Sequence, residues 1–260
     1  MIGVLDSGIG GLSVLREIHR LLPVTPTLYF ADQGHLPYGP RPAAEIHRYV
    51  MGITRFLTER GARMIVIACH SASAASLHPL REAWPGVPFV GIEPAVKPAA
   101  QQTKSGVLGV LTTEATANGP LFRSVVERFA RDIRVEVCIS PELVWLAETG
   151  RYDTPEADAI VRAHVEPLLA AGADQLVLAC THFPFLTEAI RRVTSVALVD
   201  PGPAVARQTA RLLPSPALSG PNRYFTTGDP ARFSAMIAQL TGVTGANVAS
   251  VDVEVIESRA

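Results

Sequence analysis

Long apolar runs, basic clusters and paired cysteines are all missing from this chain, and each absence removes a class of function. No stretch approaches the ~20 apolar residues that a membrane helix needs, and the start, MIGVLDSG, reads as a strand and not as a secretory leader. Lysine is nearly absent, with only Lys97 and Lys104, and the formal net charge is −1 with no Lys/Arg run. Nothing therefore draws the chain electrostatically to nucleic acid or to an anionic membrane surface. Three cysteines without disulfide-type spacing read as reduced thiols, which points to the cytoplasm. HExxH and CxxC do not occur, and the seven histidines are scattered, so no metal site is expected. GxSxG and the P-loop are absent as well. What remains is 48% hydrophobic and 18% charged over 260 residues, enough for a substantial globular core.

Short apolar runs at 2–5, 27–30, 64–68 and 88–91 read as strands, with helical patterns at 12–22, 43–60 and 72–83 between them. A second series follows, with strands at 106–110, 134–137, 175–179 and 197–199. Between the second and third of these, Ala157, Ile160, Val161, His164, Val165, Leu168 and Leu169 share one helical face, and Pro167 is expected to kink that helix. Such alternation predicts an α/β fold of mostly parallel sheets flanked by helices.

The two series carry a repeat. Residues 61–73 read GARMIVIACHSAS and residues 172–184 read GADQLVLACTHFP, so a glycine turn, a strand and a cysteine recur at constant offset. The repeat predicts two pseudo-symmetric domains with a site in the cleft between them. The first would comprise 1–94 with 205–260, and the second 95–204. Turn residues at Glu93-Pro94 and Asp200-Pro201-Gly202 mark the hinges, and the segments 223–226 and 229–240 return to the first domain. Open parallel sheets bind ligands beyond the carboxyl ends of their strands, where Asp6, Asp32, Cys69 and Cys180 all fall.

Cys69 and Cys180 are the leading candidates for chemistry. A thiol acts as a base only as thiolate, and a helix N-terminus expected just after each cysteine would supply partial positive charge. Two buried small hydrophobes are the alternative, which the duplication outweighs; Cys138, in Val137-Cys138-Ile139, reads as core. After Asp6-Ser7 comes Gly8-Ile9-Gly10-Gly11, where Ser13 breaks the dinucleotide pattern GxGxxG. These glycines would let backbone N–H groups approach a small carboxylate ligand, with Asp6 as a charged partner, or simply open a capped helix. His182, after Thr181, could exchange a proton with Cys180, and Glu148 could orient it. His70-Ser71 holds the matching place after Cys69. The loop Pro37-Tyr38-Gly39 could present N–H groups and a phenol to a ligand, and Thr113 and Thr116 could bind a carboxylate or cap a helix.

Taken in order, Asp6-Ser7-Gly8-Ile9-Gly10-Gly11-Leu12, Pro37-Tyr38-Gly39-Pro40-Arg41, Ile67-Ala68-Cys69 and Cys180-Thr181-His182-Phe183-Pro184 resemble the glutamate racemase family. The resemblance implies a two-domain α/β fold and cofactor-independent racemisation of glutamate, a small-molecule substrate, for peptidoglycan. It implies that Cys69 acts on the D-enantiomer with help from Asp6, and Cys180 on the L-enantiomer with help from His182 and Glu148. Ser7, Tyr38, Gly39, Thr113, Thr116 and Thr181 would hold the substrate. The chain departs from the family at His70-Ser71, where Asn-Thr is usual, and at Gln33, where Ser or Thr usually follows the aspartate. His70 motivates the alternative of another acidic substrate such as aspartate. A non-catalytic relative that binds acidic amino acids is a further alternative. A homodimer is compatible with this reading.

Overall fold

The computed structural model describes residues 1–214 and 220–259. Its first strand, Ile2–Asp6 (β1), is buried along its whole length, as continuous apolar runs are when helices cover both faces of a sheet. Leu12–Leu21 (α1), Thr27–Ala31 (β2), Ala43–Glu59 (α2), Met64–Ile67 (β3), His70–Ala83 (α3) and Phe89–Gly91 (β4) follow. The second series runs Val96–Gln102 (α4), Val107–Thr112 (β5), Glu114–Ala117 (α5), Pro120–Phe129 (α6), Arg134–Ile139 (β6) and Pro141–Thr149 (α7). It continues through Pro155–Ala170 (α8), Gln175–Ala179 (β7), Thr187–Val193 (α9) and Ala197–Val199 (β8). Gly202–Leu212 (α10), Arg223–Thr226 (β9), Pro230–Thr241 (α11), Val248–Ser250 (β10) and Val253–Glu257 (α12) complete the described elements.

The strands form a six-stranded sheet in the order β10-β9-β2-β1-β3-β4 and a four-stranded sheet in the order β6-β5-β7-β8. Every pairing in them is parallel. The run β2-β1-β3-β4 has the same order as β6-β5-β7-β8, so β3 and β7, the strands of the repeat, hold equivalent places. The glycines that open the two copies behave alike too: Gly61 and Gly172 have φ of 93° and 96°. That left-handed conformation suits glycine and turns the chain from α2 into β3 and from α8 into β7.

Packing follows the sheets. On one face of the six-stranded sheet Phe56 meets Phe30 and Phe225 edge-on, with ring centroids 5.2 and 5.1 Å apart. On the other, Tyr29 and Phe233 pack with α1 and α11. The chain crosses to the second sheet between β4 and α4, and crosses back between β8 and α10, which lies against α1. The segment 223–226 pairs with β2 as expected. Among the described residues no helix is long and apolar enough to cross a membrane.

Four local expectations are corrected. α3 starts at His70 instead of residue 72, because Cys69 is itself the N-cap. No α-helix begins directly after Cys180; a 3-10 turn, Phe183–Leu186, intervenes. There the backbone is tied across the cleft, with Ser13 Oγ donating to the Thr181 carbonyl at 2.9 Å. Cys138 is half-buried and not core, because β6 is an edge strand, and its Sγ lies 3.4 Å from His164 Nδ1. Pro167 falls in the last turn of α8, which continues through it to Ala170.

α11 is held at its start by Asp229, whose Oδ1 accepts from the Ala231 and Arg232 N–H groups at 2.8 and 3.3 Å. Asp229→Ala is expected to cost about 1 kcal/mol of stability, read from the urea midpoint.

Candidate active site

The loop after β1 is built by carboxylates of the protein. Asp6 is fully buried; its Oδ1 accepts from the Gly8 N–H at 2.9 Å and its Oδ2 from Thr181 Oγ1 at 3.0 Å. The Ile9 N–H donates to Glu148 Oε1 at 2.9 Å. The N–H groups of Gly8 and Ile9, expected to meet a ligand, are thus already paired. Glycine is required here by close approach: a Cβ on Gly10 would lie 2.5 Å from Thr181 Oγ1 and 2.6 Å from His182 Nδ1.

Cys69 and Cys180, both 6% exposed, line one cavity of about 290 Å³. Ser7, Pro37, Tyr38, Gly39, His70, Ser71, Thr113, Thr181 and His182 line it with them. Asp6, Thr116 and Glu148 stand behind this wall. Asp6 reaches it through Thr181, Thr116 through Thr113 (3.0 Å), and Glu148 through His182. Thr113 caps no helix with its side chain; its Oγ1 pairs instead with Ser71 Oγ at 3.0 Å. The phenol of Tyr38 is committed to Asp32 Oδ2 at 2.6 Å, so this tyrosine presents backbone and ring face, and Asp32 anchors the loop from outside the cavity.

Sequence reasoning missed one wall. Ile139, Pro141, Val144 and Trp145 line the cavity, as do Pro40 and Glu114. Ile139 ends β6 and Pro141 follows it, a position at the carboxyl end of a strand that could have flagged them. Gln33, noted only as a departure, supports Glu148, its Nε2 lying 3.3 Å from Oε2.

The two thiols differ in electrostatic company. Cys180 Sγ lies 3.5 Å from His182 Nδ1, and His182 Nε2 lies 2.8 Å from Glu148 Oε1. Burial opposes a charge on His182, but the bonds and charges of Cys180 and Glu148 outweigh it and hold the imidazole well above its ordinary pKa. Burial would likewise raise Glu148, yet His182 and the Ile9 N–H keep it below the usual carboxylate value. Cys69 has no cation beside it, only Ser7 Oγ at 3.8 Å. Burial, then the charge of Asp6, push its pKa up to about 12, against the lowering pull of the Ala72 N–H at the start of α3. The helix N-terminus at Cys69 is real but loses this contest. Asp6 is itself raised by burial, more than His182, Gly8 and Thr181 lower it.

Two buried thiols stand at equivalent strand ends and share one cleft between parallel sheets, an arrangement that fits the amino-acid racemase class of isomerases. The chain belongs to the Asp/Glu/Hydantoin racemase family, whose pattern matches residues 2–209. A glutamate racemase of Ectopseudomonas mendocina is 46% identical over 248 residues, covering 93% of this chain and 94% of that one. The crystal structure of Escherichia coli glutamate racemase in complex with L-glutamate and activator UDP-MurNAc-ala superposes with a TM-score of 0.86. It is 34% identical and covers 96% of this chain and 97% of that one. The glutamate racemase isoform RacE1 of Bacillus anthracis gives 0.86 at 31% identity, covering 97% of both chains.

Replacing Glu148 by Gln keeps the shape and removes the charge that holds a proton on His182. The His182 pKa in Glu148→Gln should therefore fall, as measured by NMR titration of the imidazole nitrogens.

Proposed function

We propose that this protein interconverts L- and D-glutamate without a cofactor. One thiolate removes the α-proton and the other thiol returns a proton to the opposite face. The observation that carries this reading is the convergence of Cys69 and Cys180 on one cavity from the equivalent strands β3 and β7. The choice of glutamate is supported by relatives named glutamate racemase at about half identity. Residues 1–94 with 205–260 would form one lobe around the site, and 95–204 the other.

Cys180 acts on the L-enantiomer, with His182 taking its proton and Glu148 balancing the imidazolium. Cys69 acts on the D-enantiomer; Asp6, behind it and raised by burial, assists as the group able to take up the thiol's proton. Ser7, Pro37, Tyr38, Gly39, His70, Ser71, Thr113, Thr181 and His182 surround the substrate, with Asp6 and Thr116 fixing the hydroxyls of Thr181 and Thr113. The product D-glutamate would feed peptidoglycan synthesis in the cytoplasm.

Incubation with a panel of L-amino acids in D2O, followed by NMR, tests both substrate and mechanism. α-Deuteration is expected with glutamate and not with aspartate; exchange on aspartate alone would sink the glutamate assignment. Cys69→Ala and Cys180→Ala should each slow inversion by about 10²–10⁴-fold, the usual weight of a positioned acid or base. Near-wild-type racemisation by either variant would refute the two-thiol scheme.

A further inference from the structure

One buried polar side chain of the cavity wall is left unengaged. His70, the first residue of α3, is 3% exposed and lines the cavity next to Cys69, yet neither Nδ1 nor Nε2 has a hydrogen-bond partner in the protein. Buried polar atoms are ordinarily paired, and leaving two unpaired on one ring is costly unless something else meets them. The other buried polar side chains of the wall are taken. Ser7 pairs with Cys69, Ser71 with Thr113, Thr113 with Thr116, and Thr181 with Asp6. Tyr38 pairs with Asp32, and His182 with Cys180 and Glu148.

The wall also lacks fixed positive charge. Among the described residues no Lys or Arg lines the cavity, and the one imidazole with strong acidic company, His182, is occupied by Glu148. An acidic amino acid brings two carboxylates into this space. Hydroxyls and backbone N–H groups can bond them, but with both His182 nitrogens engaged only His70 has ring nitrogens free to answer them with charge.

We propose that His70 binds a substrate carboxylate through a ring N–H and takes up a proton from solvent as the ligand enters, so that binding and protonation are one linked event. The proposal rests on the reading of the cavity as an acidic-amino-acid site. In the free protein burial holds the imidazole down to about 3, so it is neutral near physiological pH. A carboxylate bonded to the charged form raises that value. The sign follows: a ligand that raises a group's pKa binds more tightly as pH falls from the bound value toward the free one. Cys69, Cys180, His182 and Glu114 share the cavity, with Asp6 and Glu148 behind it, and none of them bonds His70 or shifts it. Asp6, raised by burial, is another group here able to take up a proton in the same direction. Its share persists when His70 is replaced, so the difference between two proteins is the readout. Asparagine can hydrogen-bond from this position and cannot titrate, which makes His70→Asn the informative variant.

Calorimetry with an equimolar D/L-glutamate mixture, which reacts with no net heat, counts protons taken up when repeated in buffers of different ionisation enthalpy. Wild type should take up a fraction of a proton that grows between about pH 8 and about pH 5, with affinity strengthening by up to about tenfold per pH unit. His70→Asn should lose that increment. A second readout needs no variant: the ring nitrogen shifts of His70 should change from neutral imidazole to imidazolium when the wild-type protein is saturated. Equal proton uptake by wild type and His70→Asn would overturn the proposal, as would a His70 that stays neutral in the saturated complex. Those results alongside normal α-deuteration of glutamate leave the racemase reading standing. Loss of both binding and α-deuteration would overturn the two together.

Discussion

Glu148 is the carboxylate on which the site is assembled. Its Oε1 receives both His182 Nε2 and the Ile9 N–H, its Oε2 receives Gln33, and its backbone carbonyl receives Arg232 Nη2 at 3.1 Å. A single side chain from the end of α7 thus joins the loop after β7 to the loop after β1, and so one sheet to the other. Burying it is tolerable because each oxygen is paired, and the charge is matched by the imidazolium it stabilises. The same contact explains why the β1 loop is glycine-rich. Side chains at Gly8 or Gly10 would occupy the space through which Glu148, Thr181 and His182 arrive.

That dependence marks the limit of what the sequence shows. Strand–helix alternation, the repeat and its glycine turns are local patterns, and they carry the architecture and the positions of both thiols. Phe183–Leu186 was misread because a tertiary bond from Ser13 holds the backbone ahead of it. The N–H groups after Asp6 were assigned to a ligand because nothing local announces that a glutamate 139 residues away will claim one of them. Tyr38 reads from sequence as a ligand-facing phenol, but the fold of the loop turns it onto Asp32, six residues earlier in the chain. The apolar wall of Ile139, Val144 and Trp145 escaped notice because, in sequence, those residues look like ordinary strand and helix positions.

The pair of thiols is symmetric in topology and asymmetric in charge. Cys180 has an imidazole at hand, whereas Cys69 has an aspartate behind it and is held as a thiol. Under the proposed reaction this asymmetry cannot favour one enantiomer at equilibrium. D- and L-glutamate have equal free energies in water, so kcat/KM is the same in both directions at every pH. The difference between the thiols is confined to the individual kcat and KM values, where it decides which bound form accumulates.

The strand order has a consequence for how the chain is made. The four-stranded sheet is continuous in sequence, from β5 to β8, and all its pairings close as soon as that stretch has been synthesised. The six-stranded sheet is not: β9 and β10 lie beyond the entire second sheet, and β9 docks on β2, a contact between distant parts of the chain, with β10 pairing on β9 in turn. Contacts of that span are slow to form and leave strand edges open meanwhile. Until β9 arrives, β2 is an unprotected edge, so the C-terminal segment acts as the last piece that seals the first sheet.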